Sequence, residues 1–153
     1  MRGLISIVIG LAAFAATPAM AGQWRVAAMT GEAPDRIVFL VDVESLSRTA
    51  DSVRFWTQTI VERSTDAQDW DRSVTFRQGN CADSSSAILQ NSFYRSGREL
   101  ETDRTARPPV LHQPDSVMHG VMRAVCGREP WVTDAVEDPE PIIRAFFSEN
   151  PAR

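Results

Sequence analysis

The chain has 153 residues and a formal net charge of −4, and every basic side chain is arginine. That length suits one domain with one core, and an acidic domain without a basic run is excluded as a binder of nucleic acid or anionic lipid. With only 2 cysteines and 2 histidines, and with no GxSxG, HExxH or glycine-rich phosphate loop, little material remains for a metal centre or a hydrolase.

Arg2 precedes an apolar run, Leu4 to Ala16, that is too short to span a bilayer as a stable helix. The run ends in Ala19-Met20-Ala21, the small-x-small pattern that signal peptidase accepts. Residues 1–21 are therefore expected to be a cleaved signal peptide, with the cut between Ala21 and Gly22. No cysteine lies at the cut, so a lipoprotein is not expected. No later apolar stretch is long enough to cross a membrane. Loss of Arg2 takes the mature charge to about −5. The expected location is periplasmic or secreted. There, an even pair of cysteines, Cys81 and Cys126, favours a disulfide over a metal or redox pair. The arginines are scattered, as codon bias would leave them, and not gathered as an anion site would require.

In the mature chain, Gln23 to Met29 alternates, with Trp24, Val26 and Ala28 on one face, and is predicted as the first strand. Arg36 to Val41 is nearly continuously apolar and reads as a central strand covered on both faces. Asp42 to Arg48 is predicted as a polar turn with one buried Leu46. Val53 to Arg63 is a long strand with Val53, Phe55, Thr57, Thr59 and Val61 on one face and Trp56 and Ile60 on the other. Ser64 to Asp71 is a polar loop. Ser73 to Phe76 resumes strand, and Gly79 breaks the alternation before Cys81, which predicts a bulge or bend. Ser86 to Tyr94 and the polar edge Arg98 to Asp103 follow, joined by a Ser96-Gly97 turn. These are about six sequentially connected strands, mostly antiparallel.

The pattern changes after Ala106. Arg107 to Val110 is extended, because its prolines require it. Ser116 can cap a helix that runs to about Cys126, with Gly127 beyond its end. Val117, Met118, Val121, Met122 and Val125 form its apolar stripe. The simplest α+β architecture packs this helix on one face of the small sheet and bonds Cys126 to Cys81. The tail is Pro- and acid-rich, then recovers helical spacing at Ile142, Ile143, Phe146 and Phe147. Asp138-Pro139 can start that helix. Its apolar face must bury somewhere, either on its own sheet or against a partner, and the linker-like approach favours the partner.

Chemistry is sparse. His112 and His119 lack companion ligands at metal spacing. Glu99 and Glu101 share a strand face as a solvated edge that resists strand addition. Asp66, Asp69 and Asp71 surround Trp70 in one loop, without the spacing or the glycine of a calcium loop. No cofactor and no metal are expected. Trp70 is the better candidate, either as a partner-binding anchor or folded back on the sheet.

One ordered pattern stands out. A Trp strand (Gln23-Trp24-Arg25-Val26) is followed by Val41-Asp42-x-x-Ser45-Leu46-x-Arg48. Then come a Trp-bearing strand (Val53-Arg54-Phe55-Trp56), Cys81, Tyr94-x-x-Gly97, Pro114-x-Ser116 and a helix ending in Val125-Cys126. This order resembles the surface-adhesin protein E family of exported bacterial proteins over roughly residues 23–127. The resemblance implies an antiparallel sheet with a C-terminal helix held on its concave face by a disulfide. It also implies a role in binding host matrix and serum proteins. The chain departs from the family's best-known type in having no lipobox cysteine and no lysine-rich loop.

The expected organisation is a signal peptide (1–21), a protein E-like domain (22–127) and an extension with a short amphipathic helix (128–153). The expected function is non-enzymatic binding of a protein partner or a host or envelope ligand, with Trp70, Asp66, Asp69 and Asp71 on the contact surface. The rival is an accessory subunit of an envelope complex that docks through Ile142, Phe146 and Phe147. A hydrolase built on His112 or His119 ranks last. Self-association as a homodimer stays open.

Overall fold

A computed structural model describes residues 22–63 and 68–149. The expected cleavage motif, Ala19 to Ala21, and Asp66 lie outside the described residues. Six strands follow one another across an antiparallel sheet: β1 (Trp24–Thr30), β2 (Ile37–Thr49), β3 (Ser52–Val61), β4 (Arg72–Asn80), β5 (Ser85–Arg95) and β6 (Arg98–Asp103). The Pro-flanked segment adds a seventh, β7 (Val110–Leu111), which pairs with Ser85 and Ser86 on β5. Two helices follow, α1 (Val117–Val125) and α2 (Glu140–Ser148).

Alternation along β2 shows how the helices are placed. Val38 and Leu40 join Trp24, Val26 and Ile60 in one buried cluster, which α2 completes with Ile143. Phe39 and Val41 point the other way, into a second cluster with Val53, Phe55 and the α1 residues Val121, Met122 and Val125. Strand side chains alternate between faces, so α1 and α2 cover opposite faces of the same sheet. The tail helix expected to wait for a partner is thus docked: Ile143 is 2% exposed, and Ile142, Phe146 and Phe147 pack against the same cluster. The segment between the helices also joins the body. Trp24 and Val136 exchange backbone hydrogen bonds of 2.8 and 2.9 Å, and the Val132 amide donates to Val26 at 3.1 Å, which covers the free edge of β1.

α1 begins as expected, with the Ser116 hydroxyl accepting from the His119 amide. It ends at Cys126 and Gly127, whose φ of +73° suits a residue without Cβ. Cys126 is bonded to Cys81, with Cα atoms 5.7 Å apart. A bridge across 45 residues stabilises by about 4 kcal/mol in the chain-entropy picture.

Three local expectations need correction. Asp42 to Arg48 is not a turn but part of β2. Asp42 pairs with Trp56 and Ser47 with Arg54, so four β2 residues face the single Phe55 in a large bulge. The Asp42-x-x-Ser45 motif shapes it. Asp42 Oδ1 accepts from the Glu44 amide at 3.1 Å. The Ser45 hydroxyl donates to the Asp42 carbonyl at 2.9 Å and accepts from the Trp56 amide at 3.2 Å. Gly79 sits in regular pairing with Val53 and Ser86, and the bulge of this region falls at Leu89 on β5 instead. A Cβ at 79 would lie 2.5 Å from Met122 Cε, so any larger residue there must displace the Met122 side chain.

The third correction concerns the arginines, two of which hold helix ends. Arg36 is 6% exposed and reaches the last turn of α2, donating to the carbonyls of Phe146, Phe147 and Glu149. The same guanidinium donates to both Glu62 carboxylate oxygens, at 2.8 and 2.7 Å. Arg48 donates to the Val125 carbonyl at the end of α1. A cation on unsatisfied C-terminal carbonyls also complements the helix dipole.

Candidate functional site

Trp70 stands just before β4, at the end of the sheet where β5 turns into β6. The loop is held by backbone bonds on both sides: the Asp71 amide donates to Tyr94, and the Val61 amide donates to Asp71, each at 3.0 Å. Its indole folds back on Phe93, with ring centroids 5.6 Å apart and planes at 46°. Trp70 is half-buried there. With Asp69, Leu100 and Glu101 these two rings line a shallow depression of about 470 Å³. Leu100 is 37% exposed at its rim. It bulges from β6, because Phe93 pairs with Glu101 and Tyr94 with Glu99.

The aspartates flanking Trp70 have separate tasks. Asp69 forms an ion pair with Arg95 at 2.5 Å across the hairpin end. Asp71 turns inward, and its Oδ2 accepts from the Ser96 amide at 2.7 Å, which fixes the β5–β6 turn against the loop. They do not converge, and among the described residues no group of three His, Cys, Asp or Glu side chains is placed to hold a metal ion. Asp69 and Asp71 thus tie the residues around Trp70 to the β5–β6 turn, and such an ordered aromatic surface suits protein recognition.

The other expected contact residues are placed differently. Ile142, Phe146 and Phe147 lie on the opposite helix of the body and are engaged with the sheet, not gathered with Trp70. Of the remaining tryptophans, Trp24 is core at 4% exposure, while Trp56 is half-buried and stacks on Phe76, with centroids 4.9 Å apart. A wider trough of about 640 Å³ is lined by polar and small residues, including Ser52, Gln78, Asn80 and Ser85. It has no aromatic anchor, whereas interface energy concentrates on such anchors. Sequence alone missed Phe93 and Leu100 as partners of Trp70. Their only signal was membership of an alternating strand and of a charged edge.

Comparison with known proteins adds the following. The family model described as surface-adhesin protein E matches residues 27–127. No curated protein matches. Among solved structures, crystal form II of Haemophilus influenzae protein E aligns with a TM-score of 0.46 at 14% identity, over 58% of this chain and 80% of that one. Its selenomethionine form aligns with a TM-score of 0.46 at 16% identity, over 58% and 78%.

Proposed function

The chain belongs to the surface-adhesin protein E family, and from that premise we propose that it is an exported, non-enzymatic binding domain whose ligand is a protein of the host or of the cell envelope. The Trp70 depression carries this assignment of the contact surface. An aromatic pair with an apolar rim residue sits beside the Asp69–Arg95 ion pair, at the end of a sheet braced by helices on both faces. Such an anchor can bury apolar area on binding. The signal segment supports export, and the disulfide suits an oxidising compartment. Residues 22–127 form the binding domain in this assignment, and the extension braces it.

The experiment is binding of the purified protein to immobilised extracellular-matrix, serum and envelope proteins, compared with Trp70→Ala and Leu100→Ala. The expected result is saturable binding to at least one of them, weakened about tenfold or more by Trp70→Ala with little change in thermal midpoint. Undiminished binding by both variants would move the contact surface elsewhere. Absence of saturable binding to every protein tested would overturn the assignment.

A further inference from the structure

Beneath α1, on the face opposite α2, two side-chain contacts tie the C-terminal half of the helix to the end of β4. Cys126 is bonded to Cys81, and Met122 lies on Gly79. Cys81, Gly79 and Arg77 follow one another at intervals of two along β4, about 6.6 Å apart on one face. From Cys126 to Met122 the helix advances in the same direction, about 1.5 Å per residue. His119 precedes Met122 by about one turn, and both it and Arg77 lie near enough to His112 to act on it electrostatically. Strand pairing supports the same placement, because Arg77 sits between Phe55 on β3 and Ile88 on β5. Phe55 belongs to the core beneath α1. Next to Gly79 on β5 is Ser86, whose hydroxyl is 2.7 Å from His112 Nε2.

Three basic side chains thus gather on one face, and two of them carry unmet hydrogen-bonding groups. Arg77 Nε and His119 Nδ1 are shut off from solvent and have no hydrogen-bond partner among the described residues. No hydrogen bond, ion pair or acidic neighbour is found for the Arg77 guanidinium there either. Burial alone pulls its pKa down, to about 10. Arg77 and His119 both act electrostatically on His112, and together with burial, the largest cause, they lower its pKa. Arg77 as a whole is only half-buried, so the outer nitrogens of its guanidinium stay open to an incoming group, while Nε is shut off without a partner. The floor beyond Arg77 is polar: Thr57 and Thr75 are each 3% exposed, and the Thr75 hydroxyl donates to Asn91 Oδ1 at 2.7 Å.

We propose that Arg77, His119 and the Ser86–His112 pair form a binding site for a small oxyanion, a carboxylate or phosphate group, held between α1 and the sheet. The guanidinium supplies the planar fork that both groups accept, and the histidines supply the flanking donors. This site lies under α1 and shares no residue with the Trp70 depression, so neither assignment depends on the other.

The test uses the purified full chain in sodium chloride of matched ionic strength, titrated in separate arms with inorganic phosphate and with acetate. Thermal midpoint and the His112 and His119 ring resonances are followed together. The expected result is a rise in midpoint of a few degrees and a shift of both rings in at least one arm, the stronger arm naming the headgroup class. Arg77→Met should abolish both effects. Should that variant fail to fold, His119→Gln must weaken the oxyanion effect at least severalfold. Equal response to chloride and to both oxyanions in the native protein would overturn the proposal, as would an unchanged response in either variant.

Discussion

Gly79 is the residue on which the seating of α1 depends. Met122 is fully buried above it, and a methyl group there would also meet Val53 Cγ1 at 3.0 Å. A thioether can swing away from a new methyl group on a surface, but not in a packed core. Gly79→Ala is therefore expected to lower stability by about 1–3 kcal/mol. Met122→Ala alone leaves a cavity and costs about 2–5 kcal/mol. Combined, the two changes should cost clearly less than the sum of the singles, because the methyl enters space that the thioether vacates. Urea unfolding of the four proteins checks this, and strict additivity would show that the two residues are not in conflict.

Among the elements, α2 is the one whose role the structure redefines. Four apolar side chains engage the sheet, and Arg36 draws the last carbonyls of the helix toward Glu62. A chain ending at residue 136 keeps the β1 edge bonds but uncovers Trp24, Val26, Val38, Leu40 and Ile60. Its stability should fall by about 4 kcal/mol or more, taking about 1.5–3 kcal/mol for each well-buried aliphatic or aromatic side chain. A melting curve unchanged by the truncation would restore α2 as a free docking element. Sequence could read that α2 exists, because Ile142, Ile143, Phe146 and Phe147 repeat at helical spacing and Asp138 Oδ1 does accept from the Glu140 amide, at 3.0 Å. It could not read where that face goes, since the face of the sheet not covered by α1 is visible only once α1 and the strand register are known. The same limit hid the β2 bulge. Asp42, Glu44 and Ser45 are turn formers by local chemistry, and only their bonds to one another and to Trp56 show a strand carried through the kink. The strands, α1 and the disulfide pairing were legible because alternation, capping residues and an even cysteine count each state their own partner. In the candidate site, Trp70 was legible as an aromatic in a polar loop, whereas Phe93 and Leu100 needed the hairpin to be folded.

At the scale of the whole molecule, stability should depend on pH in two stages. The Glu62 carboxyl is held below its ordinary value of 4.5, chiefly by its hydrogen bonds to Arg36. Backbone amides of Ser85 and Thr105 do the same for Asp83 and Asp103. A depressed carboxylate stabilises the fold above its unfolded pKa and loses that contribution as pH falls through its folded one. His112 is lowered from 6.5, first by burial and then by Arg77 and His119. Its unfolded form takes up protons first, so its contribution is complete above pH 6.5 and declines as pH falls below that. The midpoint should therefore slope gently downward from about pH 6.5 and steeply below about pH 4.5. His112→Gln should remove the gentle arm and leave the steep one, and persistence of the gentle arm in that variant would assign it elsewhere. The pairing of Trp24 with Val136 has a consequence of another kind. A chain released from its N-terminus onward, whether from a ribosome or through an export channel, delivers β1 first and its edge partner more than a hundred residues later. Strand β1 must then wait, unfinished on one side, for the segment beyond α1 to arrive. Such a closure, spanning most of the chain, is slow to form. The sheet can therefore be sealed at its β1 edge only after α1 and the segment that carries Val136 have emerged.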